Sequence, residues 1–346
     1  MRIGVVGPTW PDSFASNILE ALPAMGHDPV ALGSSYAIGG PYTSAIAGKA
    51  RAALPALDER AQRRVVRAAL KSECEIVINV EQGLMPAVVG QLRRNGVKVA
   101  LWFPDALLNM GRQLMLLAPY DAVFVKEPYL VDRLRAVLGL PMFYLPEACN
   151  PRWHRPLTTP GTEPYLVIAG NMYPSRIKLL ERLLAAGIPL KLYGARFPRW
   201  VGHTPLRAVH EGRCIFGEEK AHIYRSATAV LNTLHPAEIY GVNARLFEAA
   251  GCGAAVLTEY RPALPDLFSV GDEVLAFRDF DELVRQATRL LSESGLSGKI
   301  GDAAAARAHE SHTYSKRLEV IVERLSEEPG AQQVQPSRSN RNEGMR

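Results

Sequence analysis

Continuous apolar, β-branched runs alternate with longer stretches of helical spacing along the first 150 residues. The runs are RIGVV (Arg2–Val6), EIVINV (Glu75–Val80), VKVALW (Val97–Trp102), AVFV (Ala122–Val125) and MFYL (Met142–Leu145). They lack polar alternation, the pattern of parallel strands covered on both faces. Between them the spacing predicts helices near Ser13–Met25, Asp58–Lys71, Met85–Asn95 and Pro128–Leu138. Such alternation predicts an α/β doubly wound sheet. From Asn150 to Pro164 (NPRWHRPLTTPGTEP) four prolines break any helix or central strand. We read 151–164 as an interdomain linker. Beyond it PYLVIAG (Pro164–Gly170) repeats the opening MRIGVVG: a buried strand, then a glycine turn. LKLYG (Leu190–Gly194), TAVLN (Thr228–Asn232), AAVLT (Ala254–Thr258) and EVLAF (Glu273–Phe277) continue the series, with helices at Phe280–Ser292 and near Leu296–Ala308 and Tyr314–Leu325. The chain therefore reads as two tandem Rossmann-like domains, 1–150 and 165–327. Residues 328–346 are polar and aperiodic, and a disordered tail is expected there.

Length agrees with two domains, since 346 residues exceed what one core usually supports. No apolar run is long enough to span a bilayer. MRIGVVGP is a strand pattern without the apolar stretch and cleavage site of a signal peptide, so a cytoplasmic protein is expected. Cys74, Cys149, Cys214 and Cys252 lie far apart with no CxxC pair, which predicts neither a disulfide framework nor a metal site. The net charge of +5 and pI of about 9.0 invite a nucleic-acid reading. The arginines are spread along the chain, however, without a basic run interleaved with aromatics. A basic surface equally suits an anionic small ligand.

Ligands of doubly wound sheets sit beyond the carboxyl ends of the strands, so the loops there carry the candidate chemistry. In GNMYPSRIKLL (Gly170–Leu180), Pro174 suits a first helical turn, which places Arg176 and Lys178 near a helix N-terminus. Cations oppose the helix dipole there, and a bound anion reverses that penalty. Solvated surface charges are the alternative. In IYGVNARLFEAAGCGAAVLT (Ile239–Thr258), Asn243 is a good N-cap for a helix through Ala250. Gly251 is expected to end that helix with positive φ, and Gly253 to turn into the next strand. Arg245 falls in the first turn, facing a phosphate at that N-terminus. Glu248 follows one turn later as an acceptor for ribose hydroxyls or, alternatively, as a plain intrahelical partner of Arg245. In LWFPDALLNMG (Leu101–Gly111), Asp105 follows a strand end and an aromatic wall. It is either a general base or the N-cap of the next helix. The DFD at Asp279–Asp281 reads as a helix start rather than a metal site. The loop GPTWPDS is no GxGxxG fingerprint, and a nicotinamide cofactor is not expected.

The stretches EEKAHIYRSATAVLNTL and HPAEIYGVNARLFEAAGCGAAVLTEYRPALPDLF resemble the C-terminal donor domain of GT-B glycosyltransferases, and within them the CgeB-like spore-maturation group. That group's GVNxRxFEAxxCG motif is seen at Gly241–Gly253 and its G-x-x-x-P-x-R loop at Gly170–Arg176. WFPDALL, VFVKEPYLVDRL and YLPEACNPRWHRP are similar to its N-terminal half. The resemblance implies a metal-independent enzyme without a resident cofactor. It would move a sugar from a nucleotide-diphosphate sugar to an acceptor hydroxyl. Glu248 matches the ribose-binding glutamate, and Arg176 and Arg245 match basic positions near the diphosphate. His235 lies in the preceding loop, and Gly170, Asn171, Tyr240, Gly241 and Asn243 line the same donor region. Family 4 glycosyltransferases carry a further glutamate upstream; here Tyr240 stands at the aligning position, with Glu238 nearby. Positive groups at the leaving diphosphate would be the catalysts, with Asp105 as base if the reaction inverts. A non-catalytic nucleotide-sugar binder or scaffold, and a sugar-nucleotide epimerase, are the alternatives.

Overall fold

The computed structural model describes residues 1–35, 54–106, 114–158 and 161–327. The expected tail at 328–346 and most of the segment after Asp105 lie outside these residues. The first domain runs β1 (Arg2–Val6), α1 (Phe14–Ala21), β2 (Asp28–Gly33), α2 (Pro55–Lys71), β3 (Ile76–Asn79), α3 (Pro86–Arg94), β4 (Lys98–Phe103), β5 (Ala122–Val125), α4 (Pro128–Leu138) and β6 (Met142–Tyr144). The second runs β7 (Glu163–Ala169), α5 (Pro174–Ala185), β8 (Leu190–Tyr193), α6 (Gly217–Ser226), β9 (Ala227–Asn232), α7 (Ala244–Gly251), β10 (Val256–Glu259), the single turn α8 (Leu264–Leu267), β11 (Leu275–Phe277), α9 (Phe280–Ser292) and α10 (Leu296–Ser311). Helix α11 (Tyr314–Ser326) follows.

Both sheets are parallel throughout, ordered β2-β1-β3-β4-β5-β6 and β11-β10-β9-β7-β8. The apolar runs become these strands because helices cover both faces of each sheet. Strand β2 does not show in the apolar pattern. It is an edge strand, opens with Asp28–Pro29 and is mostly half-exposed, so no continuous apolar run marks it. Helix α6 is polar on most of its surface and buries only Lys220, Ala221, Tyr224 and Ser226.

Three features depart from the local sequence pattern. Helix α7 runs through Gly251, which is helical and packed against Cys149 and His154, and the positive φ falls at Gly253 instead. The linker's first half is docked: His154 is fully buried, and the Trp153 indole donates to Glu20 in α1 at 2.7 Å. The last helix also leaves the second domain. Tyr314, Leu318, Ile321 and Leu325 of α11 complete the core formed by Ile3, Ile18, Trp102 and Phe124 under the first sheet.

Candidate functional site

Each sheet reverses its strand order beside its first strand. The first does so between β1 and β3, the second between β7 and β9. Crevices open beyond the carboxyl ends at such points. In the second domain the crevice is walled by the turn after β7, by the loop Thr233–Asn243 after β9, and by the N-termini of α5 and α7. Gly170 follows β7 with φ +132°, and a Cβ there would run into the Arg245 guanidinium and press on that of Arg176. This glycine leaves room for two arginines to converge.

The two arginines differ. Arg176 is 3% exposed. Its Nε donates to Thr233 Oγ1 at 2.7 Å, Nη1 to the Asn171 carbonyl at 2.5 Å, and Nη2 to Tyr173 Oη at 2.6 Å and the Thr233 carbonyl at 3.0 Å. The Tyr173 ring lies beneath its guanidinium at 4.3 Å. Burial, and then the charge of Arg245, bring Arg176 down to about 10. It is a buttress with one N–H left to offer rather than a solvated surface charge. Arg245, half-buried in the first turn of α7, donates among the described residues only a 3.4 Å bond to Asn232 Oδ1. Most of its donors face the crevice unspent. Asn243 holds the N-cap position of α7 as expected, but its side chain makes no capping bond and its Oδ1 is buried without a partner. Lys178 stands exposed on α5. A basic cavity of about 310 Å³ adjoins the crevice, lined in part by Ser175, Arg176, Arg182, Arg261 and Arg278.

Glu248 does not pair with Arg245. Its Oε2 accepts from Lys220 Nζ at 3.0 Å, and Lys220 also stands 2.5 Å from Asp12 Oδ2 in the first domain. Burial alone would lower the Lys220 ammonium, but the facing carboxylates Glu248 and Asp12 outweigh it and hold the net shift upward. Asp12 sits in a left-handed turn at φ 60°. Burial opposes its charge, and His154 and Lys220 more than offset that, so its carboxyl is held well below the ordinary range. The Asn150 N–H donates to His154 Nδ1 at 3.0 Å, which leaves a proton on Nε2 facing Asp12 Oδ1 at 3.3 Å. Ligand atoms of Asp12, His154 and Glu248 fall within 4.8 Å of one another, a spacing a metal ion accepts. Lys220 already supplies the positive charge there, and a dication would have to displace it.

Across the same crevice the first domain presents Lys126 and Glu127, at the end of β5. Lys126 Nζ lies 2.6 Å from Glu238 Oε1 and 3.6 Å from Glu147 Oε2, all three side chains about 6% exposed. Burial opposes the Lys126 charge, yet the two carboxylates raise it overall. The ammonium sits within hydrogen-bond reach of only one of the two acids. It takes Glu238, leaves Glu147 Oε2 without a hydrogen bond, and burial pushes Glu147 up to about 8. Asp105 is exposed just past β4, and its Oδ1 accepts from the Ala106 N–H at 2.7 Å. Its charge is felt at Lys126 and Glu147. The helix it was alternatively expected to cap lies outside the described residues. His235 donates its backbone N–H to Glu238 Oε2 at 2.8 Å and packs edge-on against Tyr173. Tyr240 is exposed and packs edge-on against Tyr129. Gly241 is pressed against Lys126 so closely that a Cβ would strike its carbonyl oxygen. The sequence reading passed over Asp12, Lys126, Glu127, Glu147, His154 and Lys220. Four of them had a legible signal, since Lys126–Glu127 directly follow β5, Glu147 lies three residues past β6 and Asp12 lies in the loop after β1.

Residues 176–323 match the glycosyl transferase-like family. Spore protein CgeB of Bacillus subtilis (strain 168) is 22% identical over 50% of this chain and 60% of its own length, so the chain spans about 60% of that curated relative. Among solved structures, sucrose-phosphate synthase from Thermosynechococcus elongatus is 14% identical with a TM-score of 0.67, covering 94% of this chain and 98% of its own. Anabaena HepE in complex with UDP-glucose is 13% identical with a TM-score of 0.66, covering 94% and 99%. AviGT4, a glycosyltransferase of avilamycin A biosynthesis, is 18% identical with a TM-score of 0.57, covering 94% and 96%. The shared architecture is that of the GT-B fold. Among the described residues no helix is long and apolar enough to cross a membrane.

Proposed function

We propose that this chain, a CgeB-like glycosyltransferase of GT-B fold, moves a sugar from a nucleoside-diphosphate sugar held in its second domain to an acceptor hydroxyl at the first. The observation that carries the reading is the convergence of Gly170, Arg176 and Arg245 at the switch point of the second sheet, between two helix N-termini. In the transfer the bond between the anomeric carbon and the diphosphate breaks, and its electron pair goes to the leaving phosphate. Arg245, with spare donors and the α7 dipole behind it, faces that growing charge, and Arg176 holds the wall in place. Fixed donors of this kind are worth about 3–4 kcal/mol each in the transition state. They make a metal-independent reaction chemically reasonable. The second oxygen of Glu248 is left for the ribose hydroxyls, while Lys220 fixes the first. The acceptor oxygen attacks the anomeric carbon, and Asp105 is the candidate for taking its proton.

Thermal unfolding and calorimetry with UDP, GDP and dTDP test the donor site, followed by transfer and hydrolysis assays with the matching sugar nucleotides. A ligand at a hundred times its Kd raises stability by about 2.7 kcal/mol. One nucleotide is expected to stabilise the wild type and not Arg245→Ala. Binding without turnover of any donor, acceptor present or absent, would make the chain a nucleotide-sugar binder only. Donor conversion without an acceptor would make it an epimerase. No binding by any of the three nucleotides would overturn the reading.

A further inference from the structure

The loop that delivers α7 is gripped from the other domain. Glu127 is 5% exposed at the end of β5. Its Oε2 accepts from the N–H groups of Ile239, Tyr240 and Gly241 at 2.9, 3.1 and 3.2 Å, and its Oε1 also accepts from Tyr240 at 3.1 Å. Three consecutive amides turned onto one carboxylate form a concave anion seat, here filled by a side chain of the first domain. Neighbouring contacts tighten the grip. Lys126 pairs with Glu238 at 2.6 Å, the Tyr129 and Tyr240 rings meet at 5.4 Å, and Gly241 lies against the Lys126 carbonyl. The gripped residues end two positions before Asn243 and four before Arg245.

From this we infer that Glu127 is a positioning residue for the donor crevice. By holding Ile239–Gly241 it sets where the N-terminus of α7 stands, and so where Arg245 points, only while the two domains are docked. Nucleotide binding and domain docking are then coupled, each favouring the other by the same factor. Charge-assisted bonds are about twice as strong as neutral ones, and removing the carboxylate strands four donors, the three loop amides and the Tyr129 N–H that Glu127 caps at the start of α4, so the loop relaxes rather than waiting unpaired. Glu127 touches no reacting atom in this scheme and acts through Arg245. The inference rests on the donor-site reading above, and the experiment separates the two.

Glu127→Ala and Glu127→Gln are compared with wild type by hydrogen exchange, by small-angle scattering, and by calorimetry with whichever of UDP, GDP and dTDP the wild type binds. The Ala variant is expected to lose amide protection across 239–245, to scatter as a more open particle, and to bind the nucleotide about tenfold more weakly, within the usual range of such couplings. The Gln variant, which keeps one acceptor oxygen, is expected to recover much of the affinity. Gly241→Ala, approaching from the other side of the contact, should reproduce the opening. If Glu127→Ala loosens the loop and leaves nucleotide affinity unchanged, the coupling is wrong. If affinity falls equally in the Ala and Gln variants with the loop still protected, Glu127 acts otherwise than by positioning. If wild type binds no nucleotide, the donor reading fails on its own. Exchange and scattering then still decide the latch, which unchanged protection and compactness in Glu127→Ala would overturn.

Discussion

Two arginines 69 positions apart in the chain meet over one glycine, and their hydrogen bonds assign them different work. Arg176 spends four donor contacts on the protein, and Arg245 one long one. Truncating Arg176 should therefore act on stability. Arg176→Ala strands the buried Thr233 hydroxyl and carbonyl and is expected to cost about 2–4 kcal/mol in urea unfolding. Arg245→Ala removes a charge that repels Arg176 and should stay within about 0.5 kcal/mol of wild type while abolishing nucleotide-induced stabilisation. Equal destabilisation by both would refute this division. Lys220 gives a third case. It is buried between Asp12 and Glu248, and Lys220→Met leaves two facing carboxylates uncompensated, a change expected to cost about 3–5 kcal/mol. Chemical unfolding at neutral pH measures it.

At the scale of elements, α7 carries an N-cap residue that does no capping. A bonded Asn cap replaced by Ala commonly costs about 1 kcal/mol. Asn243 makes no such bond, and its Oδ1 is buried without a partner. Asn243→Ala is therefore expected to be nearly neutral in thermal unfolding and to weaken nucleotide binding, whereas a loss of a full kcal/mol with unchanged affinity would show an ordinary cap. This helix also shows what a sequence discloses. Its place, its N-cap position and the half-buried Arg245 in its first turn were legible from Asn243, the small residues and the glycines, because these are local choices of backbone and spacing. The strands other than β2 were legible for the same reason, being apolar on both faces. What Glu248 meets was not, because Lys220 is 28 residues away and Asp12 lies in the other domain. The cross-domain partners of Glu127 were hidden in the same way: its place past a strand end was legible, but not that it accepts from amides more than a hundred residues later. Helical spacing identified α11 but not its partner, since an apolar stripe does not specify which sheet it covers.

For the molecule as a whole, the docked crevice buries an acid between the domains that burial makes reluctant to ionise. Burial pushes Glu147 up to about 8, against an ordinary value of 4.5, with the Lys126 charge opposing the rise. Between those values the folded state holds the extra proton, so this group's contribution is full below pH 4.5 and declines as pH rises to about 8. Thermal midpoints should fall from pH 6 to 8.5 in wild type and fall less in Glu147→Gln; parallel slopes would show that Glu147 is not the group responsible. The return of α11 has a consequence of a different kind, in the order of synthesis. The first sheet is made early, but the side chains that seal its underside, Tyr314 to Leu325, are made late. At about 5–20 residues per second, Trp102 and Phe124 wait on the order of ten seconds or more for that cover while the second domain is still emerging. During that interval the unsealed face is a surface for chaperones, and the first domain becomes complete only once the second has been made.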